Sequence, residues 1–327
     1  MHKNQKSWKV IQSGIKKRKK NRLALVAILI ILLTLLTGNS IRFLGNLFKP
    51  YTDSFPEKSY SFDGSSNFYL AVRNGDNVSL LIFDPNEKRV ADLEIPPETF
   101  IKASGELGFW QARSIYELGG SSGSKLLKNS LSSFFGLPVE GYLELESSES
   151  TIGILKNIRT NPFSWFLLKN KLKTDLTTLE LIKIYAFLLQ VRSDKFISYN
   201  TFELDLMETS NLPDGSKIYL PGVNLDKFIT ENLFDQKIKN EQITIAVLNG
   251  TSKGGFAKEV SRIISNMGGN VIITDTMQNS EHSAVYGVES HTKKRLSRIF
   301  GSEYAILKEA PASRAQVIVV LGEDLSQ

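Results

Sequence analysis

No cysteine occurs in the 327 residues, which excludes disulfides, thiolate catalysis and cysteine metal sites together. Histidine is scarce. His2, His282 and His291 are scattered, without metal-ligand spacing and without a nucleophile motif beside them. The first 22 residues lack any acid, whereas Lys3, Lys6, Lys9, Lys16, Lys17, Arg18, Lys19, Lys20 and Arg22 supply nine positive charges. The remainder then holds 31 basic against 34 acidic residues, so the net charge of +6 belongs to one tail. A basic block followed directly by an apolar run reads as a topology signal or a lipid-headgroup contact rather than a DNA-binding arm.

That apolar run, residues 23–37, reads LALVAILIILLTLLT and carries no charge. Extended to residue 41, it makes a helix of roughly 28 Å, close to the ~30 Å hydrocarbon core. The Lys/Arg excess before it, against only Arg42 and Lys49 soon after, places the N-terminus in the cytoplasm and the bulk outside. A cleaved signal peptide is the rival reading, but Leu-Leu-Thr-Gly-Asn-Ser at 35–40 offers no A-x-A-like site. The expected organisation is a basic cytoplasmic tail (1–22), a single transmembrane anchor (23–41) and a linker (42–66). An α/β unit (67–225), a second linker (226–242) and a compact α/β unit (243–325) follow.

Within 67–225, residues 68–72, 78–83 and 90–95 read as strands, the first two joined by Asn74-Gly75-Asp76. Helical spacing is predicted at 113–116, 124–135 and 177–191, the last opening with a capping-box pattern, Thr177 to Glu180. In the final unit, strand 243–248, a glycine-containing loop at 249–255, helix 256–267 and strand 271–274 form a β-loop-α-β unit. Strands at 284–288, 304–307 and 317–321 and a basic helix at 291–300 complete it. The loop is not a nucleotide site, because Phe256-Ala257 stands where lysine and Ser/Thr must meet phosphate and magnesium. It still sets backbone N–H groups at a helix start, so Asn249, Gly250 and Thr251 are the candidate binding residues. Asp76, Asp84, Glu94 and Glu98 show no spacing that pairs two carboxylates, and Arg192, like other isolated arginines, reads as surface.

The stretches Ile-Ala-Val-Leu-Asn-Gly-Thr (245–251), Gly-Phe-Ala (255–257), Gly-Gly-Asn-Val (268–271) and Val-Ile-Val-Val-Leu-Gly-Glu-Asp-Leu (317–325) resemble the LytR C-terminal domain. The resemblance implies an accessory or interaction role in the cell envelope. Leu-Glu-Ile-Pro-Pro-Glu-Thr (93–99), Tyr-Glu-Leu-Gly-Gly (116–120) and Phe-Gly-Leu-Pro-Val-Glu-Gly-Tyr (135–142) are similar, in order and spacing, to the LytR-CpsA-Psr catalytic domain. Its members transfer a lipid-pyrophosphate-linked glycopolymer to peptidoglycan, with arginines on the pyrophosphate and acids on magnesium. Here Pro97 replaces the motif arginine, the acid survives as Glu98, and the later arginine-rich segment is missing. Cations are what such a transfer requires.

The resemblance therefore implies a degenerate, non-catalytic envelope protein that binds cell-wall glycopolymer, peptidoglycan or a partner protein, with no cofactor. The alternative is a divergent transferase acting on polyprenyl-pyrophosphate lipid with magnesium, through Glu98, Arg113 and Arg159, with Arg73 as a further replacement cation. An envelope-linked transcriptional regulator is a second alternative, opposed by the topology; no nucleic-acid partner is expected. The expected fold is a transmembrane helix, a mixed-sheet α/β domain and a small α/β sandwich.

Overall fold

The computed structural model describes residues 49–52, 62–105, 107–161, 172–213, 215–301 and 314–326. The expected tail (1–22), anchor (23–41) and strand 304–307 lie outside the described residues, as does most of the first linker. Among the described residues no helix is long and apolar enough to cross a membrane. Pro50–Gln327 form one compact unit.

Strands β1 (Phe68–Asn74), β2 (Asn77–Asp84) and β3 (Arg89–Ile95) form the antiparallel meander expected from their turns. The ribbon of β4 (Phe100–Lys102) and β5 (Phe109–Gln111) follows, and then helix α1 (Gly123–Phe135). Strand β6 (Gly141–Leu145) joins β1 in parallel. Helix α2 (Thr151–Thr160) leads towards β7 (Leu172–Thr174), and helix α3 (Thr178–Leu188) towards β8 (Phe196–Asn200). The result is a mixed six-stranded sheet in the order β7-β6-β1-β2-β3-β8, with β8 parallel to β3. Strands β9 (Met207–Asn211) and β10 (Lys217–Pro221) make a separate hairpin.

Both faces of this sheet are covered, so its central strands are apolar almost throughout. Leu70, Val72, Leu81, Phe83 and Val90 pack on one side with Ile152, Leu155, Leu181, Ile184 and Phe187 of α2 and α3. Helix α3 starts where expected: Thr177 Oγ1 accepts from Glu180 N, and Glu180 Oε2 accepts from Thr177 N. Tyr69, Ala71, Leu80, Ala91 and Leu93 face the other way, against Leu127 and Leu131 of α1.

This second core continues into the C-terminal part. Residues 226–242, expected as a linker, fold instead as α4 (Leu225–Asn232) and α5 (Gln236–Glu241). The stretch is polar in composition, but Leu225, Ile229, Leu233 and Ile238 point inward and are buried. The Asp235 side chain caps α5 by accepting from Lys237 N and Ile238 N. Strand β11 (Thr244–Asn249), helix α6 (Phe256–Asn266), strands β12 (Asn270–Thr276) and β13 (Ala284–Gly287), helix α7 (His291–Phe300) and strand β14 (Val317–Leu321) follow. Their sheet runs β12-β11-β14-β13, parallel except at β13.

Ile245, Val247, Val260, Ile264, Leu296 and Val319 of this part share one core with the first sheet. Polar contacts lock the same junction. Arg295 of α7 is fully buried and holds Glu140 through Nη1–Oε1 at 2.6 Å and Nη2–Oε2 at 2.8 Å, and also donates to the Asn67 carbonyl. Arg262 of α6 donates to the Ser133 and Phe134 carbonyls and to Asp226 of α4. Burial raises the Asp226 pKa, but this guanidinium more than offsets that and holds the carboxyl below its usual range.

Candidate functional site

An open cleft of about 540 Å³ lies over one end of the six-stranded sheet, lined by residues 74, 77–79, 94–98, 147–151, 200, 202 and 219. Its position follows from strand directions. Strands β1, β3, β6 and β8 all run the same way, so their C-terminal ends meet here, where loops are free to diverge and open a crevice.

Across the sheet, Asn200, Glu94 and Ser79 stand in one row on β8, β3 and β2. The Glu94 carboxylate accepts from Ser198 Oγ at 2.7 Å. One wall is set by Asn74, which accepts from Ser147 N through Oδ1 and donates through Nδ2 to the Glu149 carbonyl, holding the 147–149 loop. That loop leads into α2, whose N-terminus is capped by Ser150 Oγ. The opposite wall comes from the turn 96–99, closed by Thr99 N to the Pro96 carbonyl, and from Phe202 resting edge-on against Tyr219 at 5.1 Å. Phe202 is 49% exposed.

The lining is rich in carboxylates (Glu94, Glu98, Glu149), amides and hydroxyls, and among the described residues it includes no lysine or arginine. Two residues before Glu94 on the same face of β3, Asp92 is fully buried, with the Ser79 and Thr151 hydroxyls beside its carboxyl group. Burial pushes its pKa up to about 7; the nearby Ser79 and Thr151 hydroxyls pull it down, and the Glu94 charge adds to the rise.

The structure separates the expected candidates. Glu98 lines the cleft. Arg113 is exposed elsewhere and donates to Gln111, and Arg159 sits in the last turn of α2 and donates to Ser193. Arg73 lies on the other face of the sheet, paired with Glu117 and Glu144 and stacked over Tyr116. No cation of the expected set therefore reaches the cleft. Among the described residues no three His, Cys, Asp or Glu side chains are grouped to hold a metal ion.

The loop at Asn249, Gly250 and Thr251 differs from its sequence reading in one respect. Its backbone donors are engaged internally: Gly250 N with the Leu321 carbonyl, Thr251 N with Asn249 Oδ1, Ser252 N with Glu323, and Lys253 N with Thr251 Oγ1. Asn249 is the centre of a self-satisfied turn that packs the loop against β14. The sequence reading missed the cleft residues Asn74, Ser79, Asn200, Phe202 and Tyr219, because they come from four separated segments with no shared motif.

Residues 242–325 match the family model described as LytR cell envelope-related transcriptional attenuator. No curated protein matches the chain. Solved structures that it resembles include Bacillus subtilis TagT, at 14% identity and TM-score 0.37, covering 52% of this chain and 91% of that one. Another is the LytR-CPS2A-Psr family protein YwtF (TagT) with bound octaprenyl pyrophosphate lipid, at 13% identity, TM-score 0.36 and coverage of 51% and 89%. A third is a transcriptional regulator from Enterococcus faecalis, at 12% identity, TM-score 0.39 and coverage of 62% and 88%. Likeness of this degree is too slight to assign anything to this chain. The family match is confined to residues 242–325, and that segment is similar to a LytR C-terminal domain.

Proposed function

We propose that this is a membrane-anchored, extracytoplasmic cell-envelope protein that binds a cell-wall glycan in the cleft and does not catalyse its transfer. The observation that supports this reading is the lining, which among the described residues has three carboxylates, three asparagines, several hydroxyls and an exposed phenylalanine, without a lysine or arginine. Carboxylates and amides pair readily with sugar hydroxyls, and an open aromatic face packs against the C–H face of a pyranose ring. A pyrophosphate meets the opposite conditions. Two like unit charges ~4 Å apart repel by about 4 kcal/mol at an effective dielectric of 20. The C-terminal domain and the apolar run at 23–41 add the envelope setting.

The test is binding by residues 50–327 of neutral peptidoglycan glycan fragments, beside turnover of a polyprenyl-pyrophosphate donor with and without magnesium. Saturable glycan binding, weakened at least ~10-fold in Phe202→Ala, with no turnover of the donor, is expected. Magnesium-dependent cleavage of the donor would sink the non-catalytic reading. Absence of glycan binding would sink the ligand class.

A further inference from the structure

Elsewhere around the six-stranded sheet, acids carry cationic partners: Asp84 pairs with Arg89, Glu144 with Arg73, and Asp175 with Lys128. The cleft breaks this pattern. Glu94, Glu98 and Glu149 line it, and among the described residues none of the three has an ion-pair partner. The Ser198 hydroxyl donates to Glu94 Oε1, but a hydroxyl brings no positive charge. Exposed Asp76, in the turn between the lining residues Asn74 and Asn77, and exposed Glu203, which accepts from Asn200 Nδ2 at 3.3 Å, extend the acidic rim. The N-terminus of α2 opens on the same cleft through Ser150 and Thr151, and a helix end supplies only about half a positive charge. The carboxylates therefore dominate the field of the cleft.

An aromatic ring stands beside these acids. Asn200 pairs with Glu94 across β8 and β3, and Thr201 binds the Glu94 carbonyl through both its N, at 3.1 Å, and its Oγ1, at 2.9 Å. Asn200 Oδ1 then accepts from Phe202 N at 3.0 Å, and Tyr219 backs the ring. Half-exposed Phe202 is thereby fixed close to the strand position opposite Glu94. A ring face attracts a cation as well as the C–H face of a sugar.

We propose that the glycan held in this cleft carries unsubstituted amino groups, as in glucosamine rather than N-acetylglucosamine units. This deepens, and rests on, the reading of the cleft as a glycan site. The ammonium donates to Glu94, Glu98 and Glu149, and the pyranose ring lies on Phe202. Acetylation removes the charge and leaves the covered carboxylates without a counter-ion. Carboxylates ionise above about pH 4.3, and a sugar amine, like an α-amino group, is protonated below about pH 7.7, so binding is strongest between these values.

The experiment is calorimetric titration of the full chain in non-ionic detergent, at about pH 6, with a glucosamine oligosaccharide, its fully N-acetylated counterpart and oligolysine. The free-amine sugar is expected to bind at least ~10-fold more tightly than the acetylated one, with a preference that shrinks at about 0.5 M salt. Glu98→Gln and Glu149→Gln are each expected to lower that preference at least ~3-fold and to leave the acetylated sugar unchanged. Glu117→Gln, at the residue paired with Arg73 on the other face of the sheet, is expected to change neither, and Phe202→Ala to weaken both. Equal or tighter binding of the acetylated sugar overturns the amine assignment and leaves the glycan reading standing. So does a preference that both glutamine variants keep in full. Oligolysine bound as tightly as the amino sugar overturns the assignment to a sugar. Binding of neither sugar sinks the glycan reading itself, and this proposal with it.

Discussion

Replacing Asp92 by asparagine tests the electrostatic account of the cleft floor. Asp92 sits on β3 between Leu81 of β2 and Ser198 of β8, fully buried, with Glu94 the nearby charge that disfavours its ionisation. Burial raises its pKa from 3.8 to about 7. At 1.36 kcal/mol per pH unit, full ionisation in the folded chain costs roughly 4 kcal/mol. The sign follows from proton linkage. Below about pH 4 the group is neutral in both folded and unfolded chains and there is no penalty. Between about pH 4 and pH 7 the unfolded chain releases the proton while the folded chain keeps it, so stability falls as pH rises. Above about pH 7 the whole penalty is present.

A carboxamide does not titrate, so Asp92→Asn removes this slope whatever the amide does to packing. Denaturant unfolding of residues 50–327 at pH 4 and pH 8 should show the gap between variant and wild type moving by roughly 4 kcal/mol in favour of the variant at the higher pH. A gap that stays constant within about 0.5 kcal/mol would refute the assigned burial penalty.

Arg295→Met removes the guanidinium that holds the Glu140 carboxylate and should lower stability by about 3–5 kcal/mol in urea unfolding. The Arg295→Met, Glu140→Met double variant should recover most of that loss. Thr177→Ala removes one half of the capping box and should lower stability by about 1 kcal/mol, with Thr177→Ser close to wild type. Gly136 ends α1 at φ 61°, and a Cβ there would lie 2.5 Å from Asn266 Nδ2 and 3.0 Å from Arg262. Gly136→Ala should therefore cost at least about 1 kcal/mol in thermal or denaturant unfolding.

Elements with strong local signals were legible in residue order. The β1–β3 meander alternates with turn residues, α3 opens on Thr177 and Glu180, and the β11–loop–α6–β12 unit has its glycine stop at 268–269. Each depends on interactions within about ten residues, which the sequence states directly. Short strands such as β4, β5, β7, β9 and β10 carry too few residues for a period to emerge, and they form because a partner strand elsewhere in the chain completes their hydrogen bonds. The helices at 225–241 were hidden by polar composition, since their four inward apolar residues matter only once a core is there to receive them.

The candidate site divides the same way. The sequence by itself determined that Pro97 removes a cation and that Glu98 keeps an acid beside it. It could not determine that Arg73, Arg113 and Arg159 lie elsewhere, because which face of a sheet an arginine occupies depends on register and on what covers that face. The tertiary structure alone brought Asn74, Ser79, Glu94, Ser147, Asn200 and Phe202 around one cleft. It also buried Asp92 beneath them, and desolvation of a carboxylate is set by surrounding atoms rather than by neighbours in the chain.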